Sequence, residues 1–288
     1  MIDIHTHILP NLDDGAKTVE ESIQMCRISY QDGIRTIVAT PHILPGIYGN
    51  DRATILTKLQ ELNTTITECG IRIADCGIKN LESEFPACQR TCSAGRRIPN
   101  SPPAKELVRR AGEFRILPGA DVHFSSDLLQ RCERGEIVTV NDQGRYLMVE
   151  FTFQGIPHQG EEVLFQLLTK GIIPIISHPE RNMEIGQRPK RYYEMVRMGC
   201  LGQVTAMSLT GGFGSGVRRT AETLLSKRLI HIIASDAHST DGRPPILSAG
   251  VRAAEKIVGK EEARKMVTEY PQALLEGKRP KIQEPLSP

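Results

Sequence analysis

Short apolar runs alternate with longer amphipathic stretches along most of the chain. Seven of the apolar runs have the length of a β-strand: Ile2–His5, Thr36–Thr40, Arg115–Leu117 continuing to Asp121, Tyr146–Phe151, Ile172–Ser177, Gly202–Thr205 and Leu229–Ser235. Several of them are dense in Ile and Val, as is typical of parallel strands that helices cover on both faces. The pattern therefore predicts a buried parallel sheet.

The stretches between these runs have the periodicity of helices. They are Thr18–Gln31, Ala53–Cys69, Glu161–Lys170, Lys190–Met198, Val217–Lys227, Leu247–Val258 and Glu261–Tyr270. Glycines stand where several of these helices need C-caps, at Gly33, Gly171, Gly199 and Gly259. Seven strands separated by helices predict an α/β barrel, and 288 residues are commonly a single domain of this kind. We expect the domain to span residues 1–275.

One region does not follow the alternation. Residues 73–103 contain Cys76, Cys88 and Cys92 without clear periodicity. A structural zinc knuckle is one interpretation, and a surface insertion that covers the active-site rim or an oligomer contact is another. The polar, Pro-rich residues 276–288 predict a C-terminal tail that is flexible or lies along the surface.

Composition excludes several classes of protein. The 36 basic and 34 acidic residues leave a net charge of +2, which gives no reason to expect binding to nucleic acid. The sequence contains no run of about 18 apolar residues, so it predicts no membrane span. The first strand begins at Ile2, so we expect no signal peptide, and seven irregularly spaced cysteines suggest reduced thiols in a cytoplasmic protein.

Metal-binding side chains follow the predicted strands. Residues two apart on a strand share a face, so the imidazoles of His5 and His7 point into one cavity, as do the side chains of Asp236 and His238. The other candidates at strand ends are His42, Asp121, Glu150 and His178. In α/β barrels the chemistry gathers at the carboxyl ends of the strands. Imidazole and carboxylate ligands together indicate a multinuclear hydrolytic site for Zn, Mn or Fe.

These motifs resemble a known family. The segments MIDIHTHILPNLDDGAKTVEES, GADVHF, RYLMVEF, GIIPIISHPERN and IIASDAHSTDGRPPILS are similar to those of the polymerase-and-histidinol-phosphatase (PHP) superfamily. Within it, the chain resembles the bacterial tyrosine-protein phosphatases encoded with capsule and exopolysaccharide genes. The resemblance implies a distorted seven-stranded, TIM-like α/β barrel and three divalent ions, most often Mn, with Fe or Zn as alternatives.

The resemblance also implies which residues bind each of the three ions. One ion would be held by His5, His7, Asp121 and Asp236, a second by Asp121, Glu150 and His178, and a third by His42, His238 and one of Asp13 and Asp14. Relatives usually have Glu where this chain has Asp121. The side chain of Asp is one methylene shorter, so a bridging Asp121 requires a closer approach of the backbone.

Arg181 and Arg243 follow two of the ligand motifs and are candidates to bind phosphate, because the guanidinium fork matches phosphate oxygens. With Asp236 and His238 they are the predicted catalytic residues. Divalent ions lower the pKa of bound water from about 15.7 toward 7, which would allow hydroxide to attack phosphorus. No cysteine is followed six positions later by Arg, so the Cys-x5-Arg site of cysteine-based tyrosine phosphatases is absent.

Four functions remain open at this point. The predicted one is dephosphorylation of an autophosphorylated bacterial tyrosine kinase of capsule or exopolysaccharide synthesis. The alternatives are a small-molecule phosphatase of histidinol-phosphate type, a nucleic-acid exonuclease and a metal-binding regulator without catalysis. Homo-oligomers are common among such barrels, but the sequence fixes no number of subunits.

Overall fold

The structure, a computed structural model, describes residues 1–68 and 114–288. This part of the chain contains nine short strands: β1 (Ile2–Thr6), β2 (Thr36–Ala39), β3 (His42–Ile43), β4 (Arg115–Pro118), β5 (Asp121–His123), β6 (Tyr146–Glu150), β7 (Ile173–Ser177), β8 (Leu201–Thr205) and β9 (Ile232–Ala234). They pair in parallel, as the dense Ile and Val content predicted. The α/β class with parallel sheets is therefore confirmed.

The nine strands form two sheets. The smaller sheet has the order β1-β2-β4, and the larger has the order β3-β5-β6-β7-β8-β9. Two chain segments contribute to both sheets. The expected strand from Arg115 to Asp121 is broken into β4 and β5, and the expected strand Thr36–Thr40 is followed by a short strand, β3, that was not predicted. Thr40 and Pro41 separate β2 from β3, and Gly119 and Ala120 separate β4 from β5. Pro41 has no N–H to donate to a neighbouring strand, which is one physical reason for the first break.

The far edges of the two sheets also meet. The backbone N–H of Asp236 donates to the carbonyl of His5 at 2.8 Å, and that of His7 donates to the carbonyl of Ala237 at 2.8 Å. The chain that leaves β9 is thus hydrogen-bonded to the end of β1. This closure brings the first and last predicted ligand motifs together, although more than 220 residues separate them along the chain.

Helices cover the outside of the sheets. The structure places them at Val19–Gln31, Arg52–Glu68, Leu128–Glu133, Gly160–Thr169, Met183–Gln187, Lys190–Met198, Ala206–Thr210, Ser215–Ser226, Ser248–Val258, Lys260–Lys265 and Glu269–Leu275. The prediction of one continuous helix from Glu261 to Tyr270 is wrong. Thr268 has non-helical dihedral angles and lies between two separate helices. Three short helices of five or six residues were not predicted, since they are too short to show a period.

Two apolar clusters form the core. The larger lies between the strands and the covering helices. The smaller unites Ile4, Val38, Met148, Ile175 and Ile232, which come from five different strands, and Leu274 of the last helix packs against it. The strands thus share one apolar interior, and the polar side chains lie at their carboxyl ends.

Within the described ranges, no helix combines the length and the hydrophobicity that crossing a bilayer would require. The expected insertion at 73–103, with its cysteines and its possible zinc site, lies outside the described residues. The tail from residue 276 has no regular secondary structure, and Leu286 donates its N–H to the carbonyl of Lys227. Whether the tail is flexible stays a prediction.

Candidate metal centre

The candidate ligands meet at the carboxyl ends of the strands. Glu150 ends β6, His178 directly follows β7, and Asp236 lies two residues after β9. His42 and Asp121 stand opposite each other at the start of the paired strands β3 and β5. The breaks in the two long strands therefore place both residues at the rim that the other ligands occupy.

Asp236 and Asp121 lie on either side of His5. The Oδ1 atom of Asp236 is 3.4 Å from Nε2 of His5 and 3.4 Å from Nε2 of His7. Nε2 of His5 is 3.5 Å from Oδ2 of Asp121. All four side chains are almost completely buried. This arrangement is the first of the three ligand groups that the resemblance implied.

A second group adjoins the first through Asp121. Its Oδ2 atom lies 3.6 Å from Nδ1 of His42, which in turn lies 3.5 Å from Oε2 of Glu150. The other carboxylate oxygen of Glu150 is 3.4 Å from Nε2 of His178. His123, also on β5, places its Nδ1 atom 3.4 Å from Oε2 of Glu150. Despite its shorter side chain, Asp121 lies between the first and second groups.

The third group contains His42, His238 and Asp14. Oδ1 of Asp14 is 3.4 Å from Nε2 of His238 and 3.7 Å from Nε2 of His42. Asp13 faces elsewhere: it accepts hydrogen bonds from Nδ1 of His7 at 2.7 Å, from the N–H of His42 at 2.8 Å and from the N–H of Gly15 at 2.9 Å. Of the two neighbouring acids, the geometry thus leaves Asp14 available as a ligand.

Several supporting side chains were not singled out in the sequence. Oε1 of Gln203 lies 2.9 Å from Nδ1 of His5, which leaves the Nε2 atom of that ring directed at the carboxylates. Ser177 donates to Oδ1 of Asp121 at 2.6 Å. Second partners of this kind fix the orientation of metal ligands. The signal for Gln203 was an amide in the middle of an apolar strand, where it is fully buried.

The residues fit a metal cluster. Three sets of side chains bring one potential ligand atom each to within 4.8 Å of one another: His5, His7 and Asp121; His42, Asp121 and Glu150; and His7, Asp14, His42 and His238. Within the same pocket, Oδ2 of Asp121 and Nδ1 of His42 are buried without a hydrogen-bond partner among the described residues. Buried polar atoms are rarely left unpaired, so these two atoms indicate a missing partner such as a cation.

The electrostatics of the pocket shift pKa values in both directions. Burial acts to lower the pKa of His7, but Asp13 and Asp236 outweigh it and raise that pKa to about 10, whereas the pKa values of two other histidines fall. Burial lowers the pKa of His178 well below its usual value and that of His42 to about 4, so both imidazoles are neutral, the form that binds metals. Burial acts to raise the pKa of Asp236, but His5, His7 and Arg243 outweigh it and hold that pKa well below its ordinary range. Burial and the neighbouring Glu150 raise the pKa of Asp121, as expected for carboxylates that share a site without a cation.

Two of the candidate ligands have left-handed backbone conformations. His178 has φ = 32° and Asp236 has φ = 52°; they lie one residue beyond β7 and two residues beyond β9. Non-glycine residues adopt this region at some cost, and such residues cluster at functional sites. The strain turns both side chains into the pocket at the points where β7 and β9 end.

Arg181 and Arg243 reach the same carboxylate oxygen. Nη1 of Arg181 is 2.6 Å and Nη2 of Arg243 is 2.5 Å from Oδ2 of Asp236, opposite the oxygen that faces the histidines. The ring of Phe213 lies 4.7 Å from the guanidinium of Arg181 and 5.6 Å from that of Arg243. Phe213 belongs to the turn 211–214, which leads into the helix Ser215–Ser226.

Known proteins are similar to this chain in sequence and in fold. The family model described as "Capsular polysaccharide synthesis, CpsB/CapC" matches residues 1–76 and 102–276. The chain is 32% identical over 275 residues to the tyrosine-protein phosphatase YwqE of Bacillus subtilis, covering 96% of this chain and 91% of the relative. It is 30% identical over 280 residues to the tyrosine-protein phosphatase CpsB of Streptococcus pneumoniae, covering 96% and 98%.

A solved structure agrees with these relatives. It comes from the crystal structures of YwqE from Bacillus subtilis and CpsB from Streptococcus pneumoniae, described as unique metal-dependent tyrosine phosphatases. The TM-score is 0.82 at 31% identity, and the alignment covers 100% of this chain and 99% of the other. The family match omits residues 77–101, which lie inside the region 73–103 that interrupted the sequence pattern.

Proposed function

Because the chain belongs to the capsular polysaccharide synthesis family CpsB/CapC, we propose that it is a metal-dependent protein-tyrosine phosphatase. The relatives named tyrosine-protein phosphatase match it over almost their whole length. The observation that carries the proposal is the convergence of buried imidazoles and carboxylates on Asp121 and Asp236, with two arginines directly beside them. This combination suits the hydrolysis of a phosphate monoester.

Three divalent ions, most often Mn, would occupy the ligand groups. His5, His7, Asp121 and Asp236 would hold the first, and Asp121, Glu150 and His178 the second. His42, His238 and Asp14 would hold the third, with Asp13 orienting the ring of His7. When bound, such ions supply activated water and neutralise phosphoryl oxygens. Four carboxylates and three divalent ions leave roughly two positive charges, so the loaded pocket attracts a phosphate dianion.

The arginines would bind the phosphoryl group. Each uses one nitrogen on Asp236, which leaves other N–H groups for a ligand. The Nε atom of Arg243 is buried and has no hydrogen-bond partner among the described residues, so a phosphoryl oxygen would satisfy a donor that is otherwise unpaired. Holding both guanidinium groups in place before the substrate arrives lowers the cost of binding a developing negative charge.

The substrate would be a phosphotyrosine-containing protein, such as an autophosphorylated bacterial tyrosine kinase of capsule or exopolysaccharide synthesis. Support comes from the family description and from the tyrosine phosphatases among the relatives.

We also interpret the two sheets as one distorted seven-stranded barrel. Joining β2 to β3 and β4 to β5 gives seven strands, and the hydrogen bonds between β1 and the end of β9 support its closure.

Phosphate release from a phosphotyrosine peptide tests the proposal. We expect turnover by the Mn²⁺-loaded protein, its loss on chelation and its return when Mn²⁺ is restored. Histidinol phosphate under the same conditions should be a much poorer substrate. Asp236→Ala should reduce turnover of the peptide by more than about 100-fold, because it removes a ligand of the first ion and the carboxylate that positions both arginines. Full activity of this variant, or a preference for histidinol phosphate, would refute the proposal.

A further inference from the structure

An exposed phenylalanine stands beside the arginines. The side chain of Phe153 is 47% exposed, although it lies only three residues beyond the ligand Glu150. Its ring is 4.9 Å from the guanidinium of Arg181 and 6.2 Å from the ring of His178. The adjoining Met183 is 60% exposed. The exposed side chains of Phe153 and Met183 are here called the apolar ledge: Phe153 contacts the guanidinium of Arg181, and Met183 follows Arg181 by two residues in the chain.

The backbone holds this ledge in place. The N–H of Met183 donates to the carbonyl of Phe153 at 2.8 Å, and the amide of Asn182 donates to the carbonyl of Thr152 at 2.8 Å. Asn182 also caps the helix Met183–Gln187 by accepting from the N–H of Ile185. Phe153 is therefore fastened to the same short segment that carries Arg181. A single exposed apolar residue needs no explanation, but two adjoining ones on an anchored turn beside a polar pocket suggest a binding surface.

From this geometry we infer that the apolar ledge receives the phenyl ring of phosphotyrosine and makes the enzyme selective for aryl phosphates. The inference rests on the proposed function. One oxygen atom joins the phosphorus of phosphotyrosine to its ring, so a phosphoryl group on Arg181 brings that ring close to Phe153. Aromatic rings attract each other at centroid distances of about 4.5–7 Å. An alkyl phosphate has no such ring and gains little from the ledge.

The test compares two phosphonates that are not hydrolysed, because neither contains a phosphate ester. Benzylphosphonate carries a phenyl ring in the position of the tyrosine ring, and methylphosphonate carries none. Titration calorimetry on the Mn²⁺-loaded protein gives both dissociation constants. We expect benzylphosphonate to bind about tenfold more tightly than methylphosphonate, and Phe153→Ala to remove most of this ratio. Phe153→Tyr should restore it, and methylphosphonate should bind each variant within about twofold of the original protein.

A matched control uses another exposed phenylalanine. Phe165 on the helix Gly160–Thr169 is 55% exposed, so Phe165→Ala removes a similar apolar surface elsewhere, and the ratio should persist. The inference is overturned if Phe153→Ala keeps the ratio, or if it weakens both phosphonates equally, which would mean that Phe153 only supports Arg181. Absence of turnover on phosphotyrosine peptide by the original protein would instead refute the proposed function, whatever the phosphonates do.

Discussion

Residues of the same type make different contacts in the pocket, and the residue type alone does not reveal which. Asp13 and Asp14 are adjacent and chemically identical, yet Asp13 is buried and accepts three hydrogen bonds, whereas the side chain of Asp14 is 48% exposed and faces two histidines. Asp236 likewise divides its two oxygens between histidines and arginines. Function at this scale depends on which atom of a carboxylate faces which partner.

The division between Asp13 and Asp14 predicts two distinguishable variants. Asp14→Ala should lower the number of bound metal ions by one, measured by elemental analysis, and should leave the unfolding free energy of the metal-free protein within about 0.5 kcal/mol. Asp13→Ala should destabilise the metal-free protein by about 1–3 kcal/mol in urea, because it leaves buried donors of His7, His42 and Gly15 unpaired. The opposite pattern would assign the ligand role to Asp13.

At the scale of strands and helices, close contacts set the shape of the rim. Gly202 in β8 permits such a contact: a Cβ atom there would lie 2.0 Å from the hydroxyl of Tyr192 and 2.5 Å from the carbonyl of Leu229. The adjacent residue Gln203 orients the ring of His5. The packing of the helix Lys190–Met198 on β8 is thereby linked to the geometry of the pocket.

Gly202→Ala should therefore destabilise the protein. We expect a loss of about 1–3 kcal/mol in the free energy of unfolding, measured in urea, since a backbone carbonyl cannot move away easily. Gly216→Ala is the matched control. It lies in the helix Ser215–Ser226 with nothing within 4 Å of its added Cβ, and should stabilise the protein by about 0.5–1 kcal/mol. Equal effects of the two substitutions would contradict this account.

A histidine at the amino end of β9, away from the carboxyl-end pocket, joins two segments and predicts a pH dependence. Nδ1 of His231 accepts from the N–H of Gly202 at 3.0 Å, and burial lowers the pKa of His231 to about 4. Between pH 6.5 and 4 the unfolded chain binds a proton that the folded chain does not. Stability is therefore lost as the pH falls through this window, by roughly 3 kcal/mol for this residue.

His231→Asn should flatten that part of the curve, because Asn offers an acceptor to Gly202 but does not titrate. Urea unfolding at intervals from pH 4.5 to 7.5, in the presence of a chelator, measures the difference between the two proteins. The solvent-exposed His158 supplies the control, and His158→Asn should leave the curve unchanged. Parallel curves for the original protein and His231→Asn would show that His231 does not titrate as described.

At the scale of the whole molecule, the pocket concentrates charge that the fold must tolerate. Buried carboxylates and imidazoles from both ends of the chain meet at one rim, and the backbone groups of His5, His7 and Asp236 also make the hydrogen bonds that close β1 onto the end of β9. Cations that bind only the folded state would stabilise the entire domain, since the unfolded chain does not hold the ligands together.

Removal of metal should therefore lower the thermal midpoint of the whole domain. Mn²⁺ at about 100 times its dissociation constant should contribute about 2.7 kcal/mol for each independent site, and calorimetry with and without chelator measures the effect. Asp236→Ala should lose a large part of this stabilisation. A midpoint that Mn²⁺ leaves unchanged would argue against sites that form only in the folded protein.

The sequence by itself determined the class of fold, the positions of most strands and helices, and the residues that end the strands. These features are local, because apolar periodicity and the polar residues that end a strand can be recognised within a short stretch of sequence. Only the tertiary structure decided that Asp14 rather than Asp13 faces His42 and His238, that Gln203 and Ser177 hydrogen-bond to His5 and Asp121, and that Phe153 and Phe213 lie against Arg181. Each of these depends on contacts between distant segments, and periodicity within a segment carries no information about which atoms meet across the fold.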